Sequence, residues 1–477
     1  MHRTHTGPGA IPTLLIAALT LGLPVIVQSA EPNHANSHPV RCDSAYKKKP
    51  VPAKELRTIV QSHGQWLEQR EKPEYRRADL CQADLRQAKL ADADLERAKL
   101  DGAILRQANL FQSNLEQANL AGADLTEAVL EESNLSGADL RHARLSNANL
   151  LRAIGDEAAL YDATLTGAQL RESTFERAHF EGADLSSANL TNATFVDTFF
   201  YGANLHRAIL LGTDLMGADL RRTILTNANL HQANLQGALL DGTILDGALL
   251  VEADLENAYL DDASLVGTNL REAIIRGADL RYANLRSANL QQANLEGANM
   301  EGARLIKAKV ESGKLRMAIL YKAVLDQADF LNAQLSRAVL IGARGTGAIF
   351  TKANLSEIHA PNTQFHHAQF NEATLESANL VAADLTGSNF THANLAHANL
   401  QEANLQGATF TGADLTGARL DQADLRRAML QGANLALASG LTQTQLDTAC
   451  MDEQTKLPAG LNRPAPCAEK VRQRQRP

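Results

Sequence analysis

Few residues in this 477-residue sequence are spaced for chemistry, and cysteine comes first. Cys42 and Cys81 lie near the beginning, Cys450 and Cys467 near the end. The first 30 residues read as a secretory signal: Arg3 sits in a short leading segment, Ile11 to Val27 is apolar, and Ser29 or Ala30 suits cleavage. That apolar run is shorter than the roughly 20 residues that span a bilayer, and no later stretch is apolar enough to do so. Four thiols left in an exported chain point to disulfide chemistry, with three pairings open and free thiols as the alternative. Cys42 lies well beyond the signal, so lipid attachment is not indicated.

The imidazoles gather at His359, His366 and His367, with His392 and His397 beyond them. A metal site needs ligands that converge in fixed geometry. Neither cysteine nor a regular H-x-H spacing accompanies these histidines, so solvated side chains are expected. The sequence holds no Ser-His-Asp order, phosphate loop or paired buried carboxylates, so no cofactor, no metal and no catalysis are expected.

What positions these residues is a repeat of five. Read from Arg76, the chain runs RRADL, CQADL, RQAKL, ADADL, and the same frame still holds at DQADL, RRAML, QGANL without a slip. Of 72 consecutive units, 60 carry Ala at the third position and 56 carry Leu at the fifth, and neither position ever holds a charge. A period of five matches neither the 3.6 of a helix nor the 2 of a plain strand, so the chain must turn once per unit. Ala and Leu, two residues apart, face inward by strand alternation, which leaves the first, second and fourth positions to water. Aromatic residues make up only 4% of the chain, so alanine and leucine must fill the interior. Phe330, Phe350, Phe370, Phe390 and Phe410 recur every 20 residues, as do Phe175 with Phe195 and Phe180 with Phe200. Twenty residues are four units, hence a four-sided rod of 18 coils. At about 4.8 Å per coil its length is roughly 85 Å.

On these units, among them Ala83 to Leu85, Ala108 to Leu110 and Ala118 to Leu120, the sequence resembles the pentapeptide repeat family, whose motif is A(D/N)LXX. The resemblance implies an all-β fold, a right-handed quadrilateral parallel β-helix, and it is the resemblance that supplies the hand.

A stack of strands exposes unpaired edges at both ends, so short helical caps are expected there. Pro52 to Leu67 reads as a helix with Leu56, Ile59, Val60, His63 and Leu67 on one face and Trp66 beside the stripe. Thr442 with Gln445 is a capping-box signature for a short helix reaching Cys450, and the prolines of LPAGLNRPAPC extend the tail. A long rod holds its ends apart, which favours Cys42 with Cys81 and Cys450 with Cys467. The expected organisation is a signal at 1–30, a linker and capping helix at 31–75, the β-helix at 76–440, and a cap helix with a basic tail at 441–477. The resemblance also allows a homodimer through the C-terminal cap.

Charge and apolar exceptions mark the candidate surfaces. Residues 1–77 carry 11 Lys and Arg against 6 Asp and Glu, and residues 456–477 carry 6 against 1. That leaves 29 against 47, a net of −18, in residues 78–455. Outward positions are apolar at Phe199, Ile209, Ile224, Leu239, Ile244, Leu249, Tyr259 and Ile274, a candidate partner surface in the middle coils. Arg271, Arg276, Arg281 and Arg286, with Lys307, Lys309, Lys314 and Arg316, form a basic zone beside it. Gly155 and Gly345 replace Leu and are expected to leave the core underfilled. Gly345, with Ile358 for Ala, Ala360 for Leu, and Pro361, marks a candidate kink or local repacking.

The expected function is that of an exported, non-enzymatic scaffold presenting long faces to a protein or envelope component. Its compartment would be the periplasm, the exterior or a thylakoid lumen, and nucleic acid is not an expected partner. The resemblance supplies the alternative, an acidic DNA-shaped rod that binds DNA gyrase. The acidic array fits that alternative; export and the absence of an inserted loop do not.

Overall fold

From Asp79 to Ser439, every fourth-position residue bridges in parallel to the residue twenty further on, so the chain climbs in coils of four units. The computed structural model describes residues 42–72 and 74–464, within a compact unit that begins at Cys42. The expected signal at 1–30 lies outside the described residues.

Each unit spends its backbone groups in a fixed way. The Leu100 N–H donates to the Asn119 carbonyl one coil on (2.7 Å), and the Asn119 N–H donates back to Ala98 (2.9 Å). The Gln117 N–H reaches the Ser136 carbonyl (2.8 Å), while the Ala118 N–H closes a turn onto Leu115 (2.9 Å). Only the first-position N–H stays out of this ladder, and the fourth-position side chain serves it: the Ala121 N–H donates to Asn119 Oδ1 at 3.1 Å. Asn and Asp recur at that position because they accept locally from the turn. Positive φ falls on the second position, 54° at Gln117 and 65° at Gly122, which is the signature of a type II turn.

This turn explains Pro361, whose first position needs no N–H in the ladder and suits a fixed negative φ. The rungs Val339 with His359, Arg344 with Gln364, and Ile349 with Gln369 run through the irregular stretch without a break in register. Ile358 and Ala360 are both buried, so large and small side chains have exchanged places within one unit at nearly constant volume. The expected underfilling at the two glycines is corrected by the structure. A Cβ on Gly155 would stand 2.1 Å from Phe175 Cε1, and one on Gly345 would stand 2.7 Å from Phe365 Cδ1. In each case the ring one coil later occupies the space a leucine would have taken. The stretch from Gly345 to Phe365 is therefore repacked with its register intact.

Elsewhere the interior is a set of vertical columns. Rings from Phe330 to Phe410 stack at 5.0, 5.0, 4.7 and 4.9 Å between centroids. Hydroxyls that replace Ala are satisfied inside: Ser113 Oγ donates to the Leu110 carbonyl (2.8 Å) and Thr198 Oγ1 to Phe175 (2.6 Å).

Helix α1, Ala53–Glu68, begins after Pro52 and packs on the first coil through Leu56, Ile59, Val60 and His63. Residues before it add a rung: the Lys48 N–H donates to Gln82 and the Asp84 N–H to Lys49. The sulfurs of Cys42 and Cys81 lie at bonding distance, with Cα atoms 5.7 Å apart. His63 is fully buried, its Nδ1 accepting from the Ala78 N–H (3.1 Å) and its Nε2 lying 2.9 Å from the Glu96 carbonyl. Only the neutral, Nε2-protonated ring serves both contacts. Burial, with Arg77 nearby, holds the His63 pKa below the usual value, although the Glu96 carbonyl and the Asp94 and Glu96 carboxylates pull the other way.

The folded value is depressed, so the unfolded segment takes the proton first. The stabilisation is full above a pH of about 6.5 and declines as pH falls through the window below it. Acidification from about pH 7 to about pH 5 is thus expected to loosen α1. Trp66, the only tryptophan, reports this by fluorescence because it stacks on His63 at 5.4 Å. His63→Gln should flatten the response; an undiminished one would exclude His63 as its source.

At the other end, α2, Gln443–Thr448, closes its capping box: the Gln445 N–H donates to Thr442 Oγ1, and the Thr442 N–H donates to Gln445 Oε1 (2.7 Å). Gln445 Nε2 also donates to the Leu420 and Ala423 carbonyls of the last coil, at 3.0 and 2.9 Å. The sequence reading did not anticipate what precedes the Pro-rich tail that begins at Leu457. Cys450 and Lys456 bridge to Met429 and Asn434, so the chain rejoins the ladder after α2. Cys467, the expected disulfide partner of Cys450, lies outside the described residues. Among the described residues no helix is long and apolar enough to cross a membrane.

Candidate functional site

Because a coil takes twenty residues, residues whose numbers differ by multiples of twenty share a column. Seven Phe or Tyr residues occupy outward positions in the array, and six of them fall on one side: Tyr161, Phe199, Tyr201, Tyr259, Tyr282 and Tyr321. Only Phe111 lies elsewhere. Fourth-position Phe199 and Tyr259 line one column of this edge; first-position Tyr161, Tyr201 and Tyr321 line the next.

The rings are ordered by contact along the edge. Tyr161 stacks on His179 at 5.0 Å, and His179 on Phe199 at 4.7 Å. Phe199, Tyr201 and Tyr259 are 37, 41 and 43% exposed, a degree that outward polar residues reach but interior rings never do. The guanidinium groups of Arg221 and Arg222 lie over Tyr201 at 5.9 and 5.8 Å. On this edge lie three of the five Asp-Leu-Arg triplets of the array, each placing an arginine back on the carboxylate two residues earlier. Arg141 grips Asp139 and Arg221 grips Asp219, each at 2.8 and 2.6 Å; Arg281 grips Asp279 at 2.8 and 2.7 Å.

The first-position column also carries Glu181, Asp241 and Asp261 between these forks and Glu301 one coil beyond the last. Burial pushes the Asp241 and Asp261 carboxyls above the usual range. Asp261 Oδ1 and Glu181 Oε2 are buried with no hydrogen-bond partner among the described residues. Burial also pushes the Tyr161 phenol up to about 12, so it stays neutral.

The Pentapeptide repeats family profile matches the chain in overlapping stretches from residue 76 to residue 439. The chain belongs to the pentapeptide repeat family. That membership carries a right-handed β-helix, the hand that the ladder alone leaves open. HetL from the cyanobacterium Nostoc sp. strain PCC 7120, a pentapeptide repeat protein involved in heterocyst differentiation regulation, is 36% identical over 48% of this chain and 88% of its own, with a TM-score of 0.20. QnrB1, a plasmid-mediated fluoroquinolone resistance protein, is 21% identical over 40% of this chain and 89% of its own, with a TM-score of 0.25. A pentapeptide repeat protein from the Arabidopsis thaliana thylakoid lumen is 34% identical over 22% of this chain and 71% of its own, with a TM-score of 0.11. No curated protein matches the chain.

In this pentapeptide repeat rod the expected apolar surface separates into four sides. Phe199, Leu239 and Tyr259 lie on the aromatic edge, Ile224 and Ile244 stack on the next side, Ile209 and Leu249 on the third, and Ile274 on the fourth. The basic zone dissolves for the same reason. Arg271, Arg276, Arg281 and Arg286 are first positions of successive units and occupy four different corners. Arg271 meets Glu272 at 3.3 Å, Arg276 meets Glu256 at 3.4 Å, and Arg281 is held by Asp279. Lys307, Lys309, Lys314 and Arg316 spread over three sides, Arg316 pairing with Glu296. His359, His366, His367, His392 and His397 likewise fall on all four sides. Among the described residues, the one group of three with metal-ligating atoms close together is Cys42, Asp79 and Cys81, and both its sulfurs face each other.

The edge residues Tyr161, His179, Tyr201, Tyr282 and Tyr321, with Glu181, Asp241 and Asp261, escape a reading that looks for neighbours in sequence. Their signal is the twenty-residue interval, which identifies the interior phenylalanine columns and serves equally for outward rings.

Proposed function

We propose that this protein is an exported, non-enzymatic scaffold, a rod of 18 coils from its 72 units that displays the aromatic edge to a component outside the cytoplasm. The observation that carries this reading is one-sidedness: six of seven outward Phe and Tyr residues share an edge, while the interior holds only packing residues. The apolar run from Ile11 to Val27 and the even number of cysteines support export to the periplasm, the exterior or a thylakoid lumen. The segments around α1 and α2 act as caps that shield the terminal rungs from edge-to-edge association.

A phosphatase fused after residue 75 is expected to be active, and the mature chain to begin at Ala30 or Glu31. An inactive fusion with Met1 retained would sink the export reading. The net charge of −18 over residues 78–455 favours a second reading, an acidic mimic of DNA that binds DNA gyrase. Cytoplasmic location together with inhibition of supercoiling by the purified protein would put it first.

A further inference from the structure

We infer that the aromatic edge binds a neutral, linear polysaccharide laid along the axis of the rod. The inference rests on the scaffold reading and names the partner's chemistry. Its first support is a repeat within the edge. An exposed ring, an Asp–Arg fork one coil on, and an acid one coil further occur as Phe199, Asp219–Arg221 and Asp241. The same set recurs sixty residues later as Tyr259, Asp279–Arg281 and Glu301. Sixty residues are three coils, about 14 Å at about 4.8 Å each. A partner with an irregular surface gains nothing from such a repeat, whereas a polymer of like units meets the same trio again as it runs along the rod.

The second support is the chemistry of the set. An exposed ring offers a flat apolar surface to the C–H face of a pyranose, and the phenol of Tyr201 or Tyr259 adds a polar tip. A guanidinium with five N–H donors keeps some free after two are spent on Asp219 or Asp279. The carboxylates of Asp241, Asp261 and Glu301 can only accept, and the hydroxyls of a ligand can donate to them. The edge is thus short of donors, and a polyol supplies many.

The third support is charge. Each Asp–Arg fork is neutral as a unit, so Glu181, Asp241, Asp261 and Glu301 leave the edge acidic. Such a surface repels an acidic polymer and leaves a neutral one unaffected. From Tyr201 to Tyr321 the edge runs six coils, about 29 Å, enough for several sugars in a row.

The test is affinity electrophoresis of the full mature chain through native gels containing hydroxyethyl cellulose, mixed-linkage glucan, xylan, glycol chitin or, as the acidic comparison, alginate. Retardation by at least one neutral glycan and not by alginate is expected. Phe199→Ala with Tyr259→Ala should weaken binding by about ten-fold or more, as loss of a ring anchor does. Ile209→Ala with Leu249→Ala, on the third side, should leave it unchanged. All four residues point outward, and unchanged circular dichroism will show that the fold is kept. The inference is overturned by passage through every neutral gel, by retardation in alginate alone, or by equal losses in the two double variants. It is also overturned if the Phe199 and Tyr259 changes abolish self-association in sedimentation, which would make a second copy the occupant. Failure with the mature chain found outside the cytoplasm removes the glycan and leaves the scaffold; a cytoplasmic chain removes the scaffold itself.

Discussion

Gly155→Leu is expected to destabilise the rod by about 3 kcal/mol or more, and Phe175→Leu placed beside it to restore most of the loss. The first cost is overpacking, because even a Cβ at residue 155 would stand 2.1 Å from Phe175 Cε1. Phe175→Leu alone should cost about 1–3 kcal/mol, because the space over Gly155 then has nothing to fill it. Together the two changes put leucine over leucine, as at Leu115 and Leu135 lower in the same column. Recovery will fall short of complete, since the Phe175 ring also stacks on Phe195 at 5.8 Å and meets Phe180 edge-on at 5.5 Å. Denaturant midpoints of the four proteins give the coupling energy. Simple addition of the two losses would mean that residues 155 and 175 do not share a site.

Cys42→Ser with Cys81→Ser is expected to release the N-terminal cap. The bond closes 39 residues of sequence separation, for which chain entropy sets a stabilisation of about 4 kcal/mol. In a repeat protein each coil touches only its neighbours, so the loss stays local. Hydrogen exchange should accelerate in residues 47–68, where Lys48, Asp84 and α1 make the first rung and cover, and remain slow in the coils around Phe370. Reduction of the native protein should reproduce the pattern. Unchanged exchange at 47–68 would show that α1 is held by packing and His63 alone.

The coil was legible because its signals repeat. Ala and Leu at fixed positions define the inside, and phenylalanines at intervals of twenty define four sides, so the ladder follows. The features that escaped are relations between coils. Gly155 looks like a gap until Phe175 is placed on it, and Gly345 until Phe365 is. Arg271, Arg276, Arg281 and Arg286 look like a patch because they are close in sequence, yet each turn of the chain carries the next one around a corner. Tyr161 and Tyr321 look unrelated for the opposite reason. The C-terminal rungs were hidden because α2 stretches the interval from twenty to 21 at Cys450 and 22 at Lys456. Charge pairing was legible only in part: Asp219 and Arg221 are two apart in sequence, whereas Arg276 and Glu256 are one coil apart.

Every one of these relations depends on twenty residues rising by one coil. Spin labels placed pairwise at exposed second positions Gln112, Gln232 and Gln292 measure that rise directly. Pulsed dipolar spectroscopy should give about 29 Å between 112 and 232, six coils apart, and about 43 Å between 112 and 292, nine coils apart, each as a narrow distribution. Distances that fail to scale with coil number, or that spread broadly, would contradict the twenty-residue coil and with it the alignment of Phe199, Tyr201 and Tyr259 on one edge.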